Sequence, residues 1–289
     1  MIAQLNHTER QNALHSTDVP SILQLEGARK SDHTVYLEKT GRLDPDKGSD
    51  ATEAGKYLEP SVLDFAEQQL GPLERNIRCE AKGLGFPLVS TLDARVQRTG
   101  VPTEAKTTGI VGPVFGEWGE EGSDIVPQLY LVQTSIQMLC SEADMAYLYA
   151  LIGGRGFVAY RIHRDEEVIN AIVEQCDRWW DRHIVKGIEP TLREPIPMEV
   201  LKRIRRQPEK TIELYEDASQ IVLEYEAATA TKSAAEKTHE ALKSKLITLL
   251  GDAEAGVLPD GRRVQYMLQK RGGFVVEPTE FRVLRIKKS

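Results

Sequence analysis

The sequence predicts an α/β fold with a mixed central sheet flanked by helices, followed by an extension of different make-up. Two observations carry this. Along residues 16–186, segments of helical period and runs of strand period follow one another as helix, helix, several strands, helix, strands, helix. A proline-containing link, "GIEPTLREPIP" at 187–197, then separates a tail rich in Ala, Glu and Lys. The expected boundaries are 1–195 for the main domain and 196–289 for a helical arm with a β-hairpin region.

Taken in order, "STDVPSILQLE" at 16–26 opens with capping residues before an apolar run, which predicts a first helix with Thr17 or Asp18 near its cap. "RLDPDKGSD" at 42–50 has loop composition. From Ala51 to Leu70, apolar residues recur at Ala54, Leu58, Val62, Phe65, Ala66 and Leu70, the period of an amphipathic helix. Glu59 lies within it, directly before Pro60, where a kink or break is expected. "RNIRCEAKGLGFPLVSTLDARVQ" and "VPTEAKTTG" predict strands, and "GIVGPVFGEWGEEGSD" a Gly-rich loop. Pro127 starts a helix with Leu129, Val132, Ile136 and Leu139 on one face. "MAYLYALIGGRGFVAYRIHRD" predicts two strands around a turn, and Asp165 to Lys186 a long amphipathic helix. In the tail, residues 216–252 predict one long helix or two, and 261–288 a hairpin plus a third strand.

Composition narrows the chemistry. With 28% charged and 40% hydrophobic residues, this is an ordinary globular chain. No run nears the ~18 apolar residues of a membrane helix, so no membrane partner is expected. The opening "MIAQLNHTERQNALH" has neither an apolar stretch nor a cleavage-site pattern, so cytoplasmic location is expected. Cys79, Cys140 and Cys176 are dispersed, with no CxxC, and the six histidines form no HxH or HxxxH pair. Thiolate or imidazole metal sites are therefore disfavoured, and any metal would take oxygen ligands, which suits magnesium or manganese. The net charge is −7, yet residues 196–289 hold 17 basic against 14 acidic residues. Polyanion contacts would thus be local rather than spread over the surface.

The pattern that can carry chemistry is Asp93, Glu104 and Lys106 in "TLDARVQRTGVPTEAKTTG". Residues two apart on a strand share a face, so Glu104 and Lys106 lie together and Ala105 points away. If two adjacent strands bring Asp93 beside Glu104, the carboxylates repel unless a cation sits between them. A divalent metal held by Asp93, Glu104 and the Ala105 carbonyl would answer that repulsion, with Glu59 completing the shell. Lys106 would then orient a water or stabilise transition-state charge. Against this, an Asp followed by ExK is a common pattern, and strand-edge Glu and Lys are usually solvated.

In context these residues resemble more than a short motif. "TLDARV…TEAKTT" is similar to the metal centre of the restriction-endonuclease-like nucleases, an Asp followed by an acid-x-Lys (the PD-(D/E)xK pattern). More closely, the chain resembles the YqaJ-type viral recombinases and lambda-exonuclease-like alkaline exonucleases from about Arg10 to Pro190, through "ERQNALHSTDV", "EAGKYLEPSV", "LYLVQTSIQML" and "LIGGRGFVAYRIHRDEE". The resemblance implies a restriction-endonuclease-like core, with Asp93 and Glu104 as ligands of Mg2+ (two ions per site, Mn2+ able to substitute). Lys106 would be the catalytic lysine, and Glu59 a metal-shell or water-positioning residue. Arg10, Thr17, Thr91 and Gln133 match positions that bind a terminal 5′-phosphate. It further implies 5′→3′ digestion of double-stranded DNA ends, a phage single-strand annealing protein as partner, and a homo-oligomer, best matched by a trimer. This chain has Leu92 and Ala94 where the family often has Pro and Gly around the Asp, and threonines at positions 17 and 91 where it has serines. A structure-specific or Cas4-like nuclease, or an inactive DNA-end-binding scaffold, are the competing readings. Three dispersed cysteines speak against a four-cysteine iron–sulfur site, and the intact acidic residues and lysine against decay.

Other features have plainer explanations. Trp179 and Trp180 are expected in the core or an interface, "GGRG" at 153–156 as a turn, "KRIRR" at 202–206 as a solvated helix face, and His163 as structural.

Overall fold

The computed structural model describes residues 10–44, 46, 50–109, 117–192, 195–206, 210–214, 217–270, 284 and 286. The fold divides into two units, Met1–Arg206 and Gln207–Ser289. In the first, β1 (Leu14–His15), α1 (Val19–Ile22), α2 (Asp32–Lys39) and α3 (Asp50–Leu70) precede three strands, β2 (Leu73–Glu80), β3 (Leu88–Val96) and β4 (Pro102–Thr108). After these come α4 (Gln128–Ser141), β5 (Met145–Ile152), β6 (Gly156–His163) and α5 (Glu166–Trp179). A π-helical turn, Trp180–Val185, and the short α6 (Met198–Arg203) close the unit. The six strands form one mixed sheet ordered β1-β3-β4-β5-β6, with β2 also on β3. The predicted class, a mixed sheet flanked by helices, is the architecture observed.

Three apolar clusters hold the layers together. One joins β1, α1, α2, α4 and α5 through Leu14, Val19, Val35, Ile136 and Trp179. A second packs Met138 of α4 on Leu148, Tyr160 and Ile162 of β5 and β6. The third seats Val62, Leu63 and Ala66 of α3 on Ala94, Ala105 and Tyr149 of the sheet. Trp179 is therefore a core residue, as its apolar helical neighbours predicted. Burying such side chains, at about 25 cal/mol per Å2 of apolar surface, is what orders the short β1 and α1 that could not persist alone.

Several local expectations are corrected. Residues 16–26 form only the four-residue α1, because the Asp18 carboxylate is drawn inward to basic side chains and does not cap the helix. The helix over 50–70 runs unbroken through Pro60. Pro60 and Lys56, whose carbonyl loses its amide partner, are both exposed, so water can replace the missing bond. The "KRIRR" stretch is not simply solvated: Arg203 donates to the Asp44 carbonyl at 2.9 Å, and Arg205 ion-pairs Asp44 at 2.7 Å. Residues 110–116 of the Gly-rich loop lie outside the described residues. Turn 153–155 is indeed a turn, where Arg155 donates to the carbonyls of Trp118 and Gly119.

In the second unit, α7 (Asp217–Leu250) is a single 34-residue helix followed by a hairpin of β7 (Ala255–Val257) and β8 (Arg263–Gln265). The hairpin's first strand precedes the predicted stretch, and the third strand expected beyond Arg271 lies outside the described residues. Among the described residues no helix is long and apolar enough to cross a membrane.

Candidate active site

The site lies where the sheet splits. β2 pairs with β3 along its length, from Glu80↔Val89 to Leu73↔Val96. The opposite edge of β3 is shared: β1 pairs in parallel at Leu88 and Val89, and β4 antiparallel at Ala94 and Arg95. A strand has only two edges, so Ser90 to Asp93 front a gap between β1 and β4. Opposite Asp93 on β2, Asn76 adopts φ +57°, a left-handed conformation that Asn tolerates better than most residues. The regular ladder is therefore interrupted around Asp93, and its side chain supplies a replacement bond: Asp93 Oδ2 accepts the Ala105 N–H at 2.9 Å.

Extending the β3–β4 register by one step sets Asp93 opposite Glu104, as the spacing anticipated. Glu104 is only 2% exposed and both its oxygens are engaged. Oε1 accepts from Lys106 Nζ and, at 2.6 Å, from Gln133 Nε2, and Oε2 accepts from Gln137 Nε2. Lys106 also lies over the Tyr130 ring at 5.2 Å. From α3, Gly55 lies beside the Thr107 side chain of β4. Glu59 stands one helical turn further on, within electrostatic reach of Glu104 and Lys106.

The electrostatics are those of surplus negative charge in a poorly solvated place. Burial, then the Glu104 charge, pushes the Asp93 carboxyl well above its ordinary range, against the pull of Lys106. Glu59 is raised by burial and by Glu104. Burial opposes charging Lys106, but Glu104 and Asp93 outweigh it and hold the ammonium above its usual value. Such a cluster gains from a cation. The donors are oxygens throughout, which fits magnesium. The N–H and C=O of one strand residue point the same way, so the Ala105 carbonyl faces the Asp93 side. Among the described residues no group of three or more His, Cys, Asp or Glu is close enough to hold a metal. A magnesium that keeps several waters needs fewer, and Asp93, Glu104 and the Ala105 carbonyl fit that mode.

One consequence is measurable without any substrate. The raised Asp93 carboxyl favours its protonated form in the native state, so metal-free protein should lose stability as pH rises through that value. Asp93→Asn keeps an acceptor for the Ala105 N–H and removes the repelled charge. In chelator at pH 8 its Tm should exceed wild type by about 2–4 °C per kcal/mol relieved, and added Mg2+ should no longer raise it. A variant less stable than wild type under those conditions would refute the charge-repulsion account.

The residues expected at the terminal phosphate are only partly together. Arg10 remains 37% exposed and reaches Asp18 at 3.4 Å. Asp18 itself is fully buried, with Lys39 at 2.6 Å, Lys30 at 3.3 Å and the His15 amide at 3.1 Å. Thr17 is exposed, because the Ser16 amide bonds the Val89 carbonyl at 3.0 Å and draws the preceding residue inward. The hydroxyls that meet across the β1–β3 junction are Ser16 and Ser90, 2.8 Å apart. Thr91 is half-buried on β3. Gln133, expected at the phosphate, is directed instead to Glu104. Sequence reasoning missed Gln137, Lys39 and Ser16 as parts of the site. The signal for Gln137 was two glutamines four apart within the otherwise apolar α4.

Residues 7–144, just under half of the chain, match the YqaJ-like viral recombinase domain. The uncharacterized protein YqaJ of Bacillus subtilis is 30% identical over 191 residues, 64% of this chain and 57% of that protein. The match thus spans little more than half of that relative. Among solved structures, an alkaline exonuclease of Laribacter hongkongensis is similar at TM-score 0.47 and 13% identity, covering 62% of this chain and 92% of that one. A phage-related exonuclease of Haemophilus somnus is similar at TM-score 0.44 and 14% identity, over 61% and 96%.

Proposed function

We propose that the first unit is a magnesium-dependent exonuclease that digests duplex DNA ends 5′→3′ and leaves a 3′ single strand for a phage-type annealing protein. The observation that carries it is the half-buried Asp93 opposite the buried Glu104, with Lys106 on Glu104, at the sheet split. Asp93, Glu104 and the Ala105 carbonyl would hold the metal, which when bound supplies an activated water and neutralises phosphate charge. Gln133 and Gln137 fix the Glu104 oxygens and so limit its rotamers. Lys106 stays cationic and stabilises the charge that develops on the scissile phosphate. Arg10 offers a guanidinium to the end phosphate, held in place by Asp18. Reading phosphate rather than base edges makes the digestion tolerant of sequence. By its resemblance the active form is a homo-oligomer, a trimer being the expected state.

The test uses linear duplexes with 5′-phosphate or 5′-hydroxyl ends and closed circles, each with Mg2+, Mn2+ or chelator. Metal-dependent digestion of linear DNA alone, faster on 5′-phosphate ends, is expected. Arg10→Ala should slow phosphorylated ends by about 10-fold or more, the scale of a lost charged hydrogen bond, and leave hydroxyl ends little changed. Digestion of circles would identify an endonuclease, and no metal-dependent digestion would identify a DNA-end-binding scaffold. Equal loss on both ends would remove Arg10 from the phosphate site.

A further inference from the structure

One face of α4 is given over to Glu104 and Lys106. Tyr130, Gln133 and Gln137 follow at steps of three and four, so they share a stripe, and each touches one of those two charged residues. Gln137 is the deepest of the three, 1% exposed, with the buried apolar Ile136 and Met138 on either side of it in the chain. Its Nε2 donates to Glu104 Oε2, while its Oε1 is buried and has no hydrogen-bond partner among the described residues. The amide has only one workable orientation. A carboxylate accepts and does not donate, so the N–H side faces Glu104 and the carbonyl is the end left over. Buried carbonyls nearly always find a donor, so an unpaired one beside an acidic pair calls for an explanation.

A count of lone pairs supplies it. Each carboxylate oxygen offers two acceptor positions. On Glu104, Oε1 has both filled, by Lys106 and Gln133, and Oε2 has one filled, by Gln137. The open position is therefore on Oε2, the oxygen that Gln137 touches. The Gln137 carbonyl shares a carbon with the touching Nε2 and so lies next to that same oxygen. We propose that Gln137 is a positioning residue of the metal centre: its N–H fixes Glu104 Oε2 for the ion, and its carbonyl accepts a hydrogen from a water that the ion carries. The inference rests on the metal reading above and adds which oxygen of Glu104 serves and what stands behind it. Magnesium keeps several waters, and a rigid acceptor at the end of a buried side chain orients one of them.

The test is Mg2+ binding to the full chain without DNA, followed by calorimetry and by Tm with ion or chelator. Gln137→Met keeps the side-chain length and removes both the N–H and the carbonyl. It should weaken Mg2+ binding by about 10–100-fold, the usual effect of losing a residue that orients a metal ligand. Should that variant not fold, Gln137→Glu decides, because it keeps the shape and sets a second carboxylate beside Oε2. Its Tm in chelator should fall below wild type, and Mg2+ should raise it by more than it raises wild type, since the ion then relieves an added repulsion. Gln137→Met binding Mg2+ within about threefold of wild type, against the larger loss expected, would overturn the proposal and leave the metal reading standing. The same holds if Gln137→Glu gains no more from the ion than wild type, or if Ser135→Ala, buried on another face of α4, weakens binding as much as Gln137→Met. A wild type that binds no Mg2+ would overturn both.

Discussion

Replacing Lys106 by alanine should lower single-turnover digestion of a 5′-phosphorylated duplex by about 10^2–10^3-fold, the usual cost of losing one transition-state charge partner. Binding of the same duplex with metal should persist, because Lys106 points into the site toward Glu104 and Tyr130, away from solvent. The pH profile separates this role from a structural one. Lys106 is held above its ordinary value, so it should not lose its proton in the working range. Asp93 and Glu59 are raised, so wild-type activity should climb as pH rises through their shifted values and then level off. Lys106→Ala should lose height, and its climb should move to higher pH because Lys106 no longer draws the Asp93 and Glu59 carboxyls down. Digestion at the wild-type rate would remove Lys106 from the chemistry, and lost folding without metal-dependent binding would make its role structural.

How far the site could be read from sequence depends on where each constraint acts. Strand alternation is local, so Glu104 and Lys106 on one face, with Ala105 in the core beneath α3, follow from three adjacent letters. The pairing of Asp93 with Glu104 needs only a hairpin register, also a short-range matter. The split of the sheet is not local. It depends on β1, two residues long, taking part of the β3 edge, and no period is visible in two residues. For the same reason Ser16 rather than Thr17 faces Ser90, because one backbone bond to Val89 sets the orientation. Gln133 illustrates another limit: a neutral amide suits phosphate and carboxylate equally, and only the placement of α4 over β4 directs it to Glu104. The unbroken α3 differs from expectation because exposure of the Lys56 carbonyl, a tertiary property, makes Pro60 tolerable.

Asp18→Asn should be among the most destabilising single changes in the first unit. Asp18 has no solvent exposure and is surrounded by Lys39, Lys30 and Arg10; the Lys39 side chain is 1% exposed. Burial alone would raise the Asp18 carboxyl, but the three cations outweigh it and hold it far below the ordinary range. On Lys39 burial wins over Asp18 and lowers the ammonium. Removing the carboxylate therefore leaves a buried cation with the Arg10 carbonyl, at 2.7 Å, and a neutral amide. Breaking such a pair from one side costs about 3–5 kcal/mol, or roughly 10 °C in Tm for a unit of this size. Lys39→Met should cost less, since Lys30 and Arg10 still face Asp18, and the double variant should recover part of the Asp18→Asn loss. The pH dependence has a definite sign. A carboxyl depressed in the native state stabilises it above the unfolded value, near pH 4, and that contribution fades as pH falls further. Thermal melts of both proteins at pH 7 and pH 3 should thus show the gap narrowing in acid. A gap unchanged between the two would mean that Asn fails for steric reasons, and that the charge of Asp18 does not anchor β1 and Arg10.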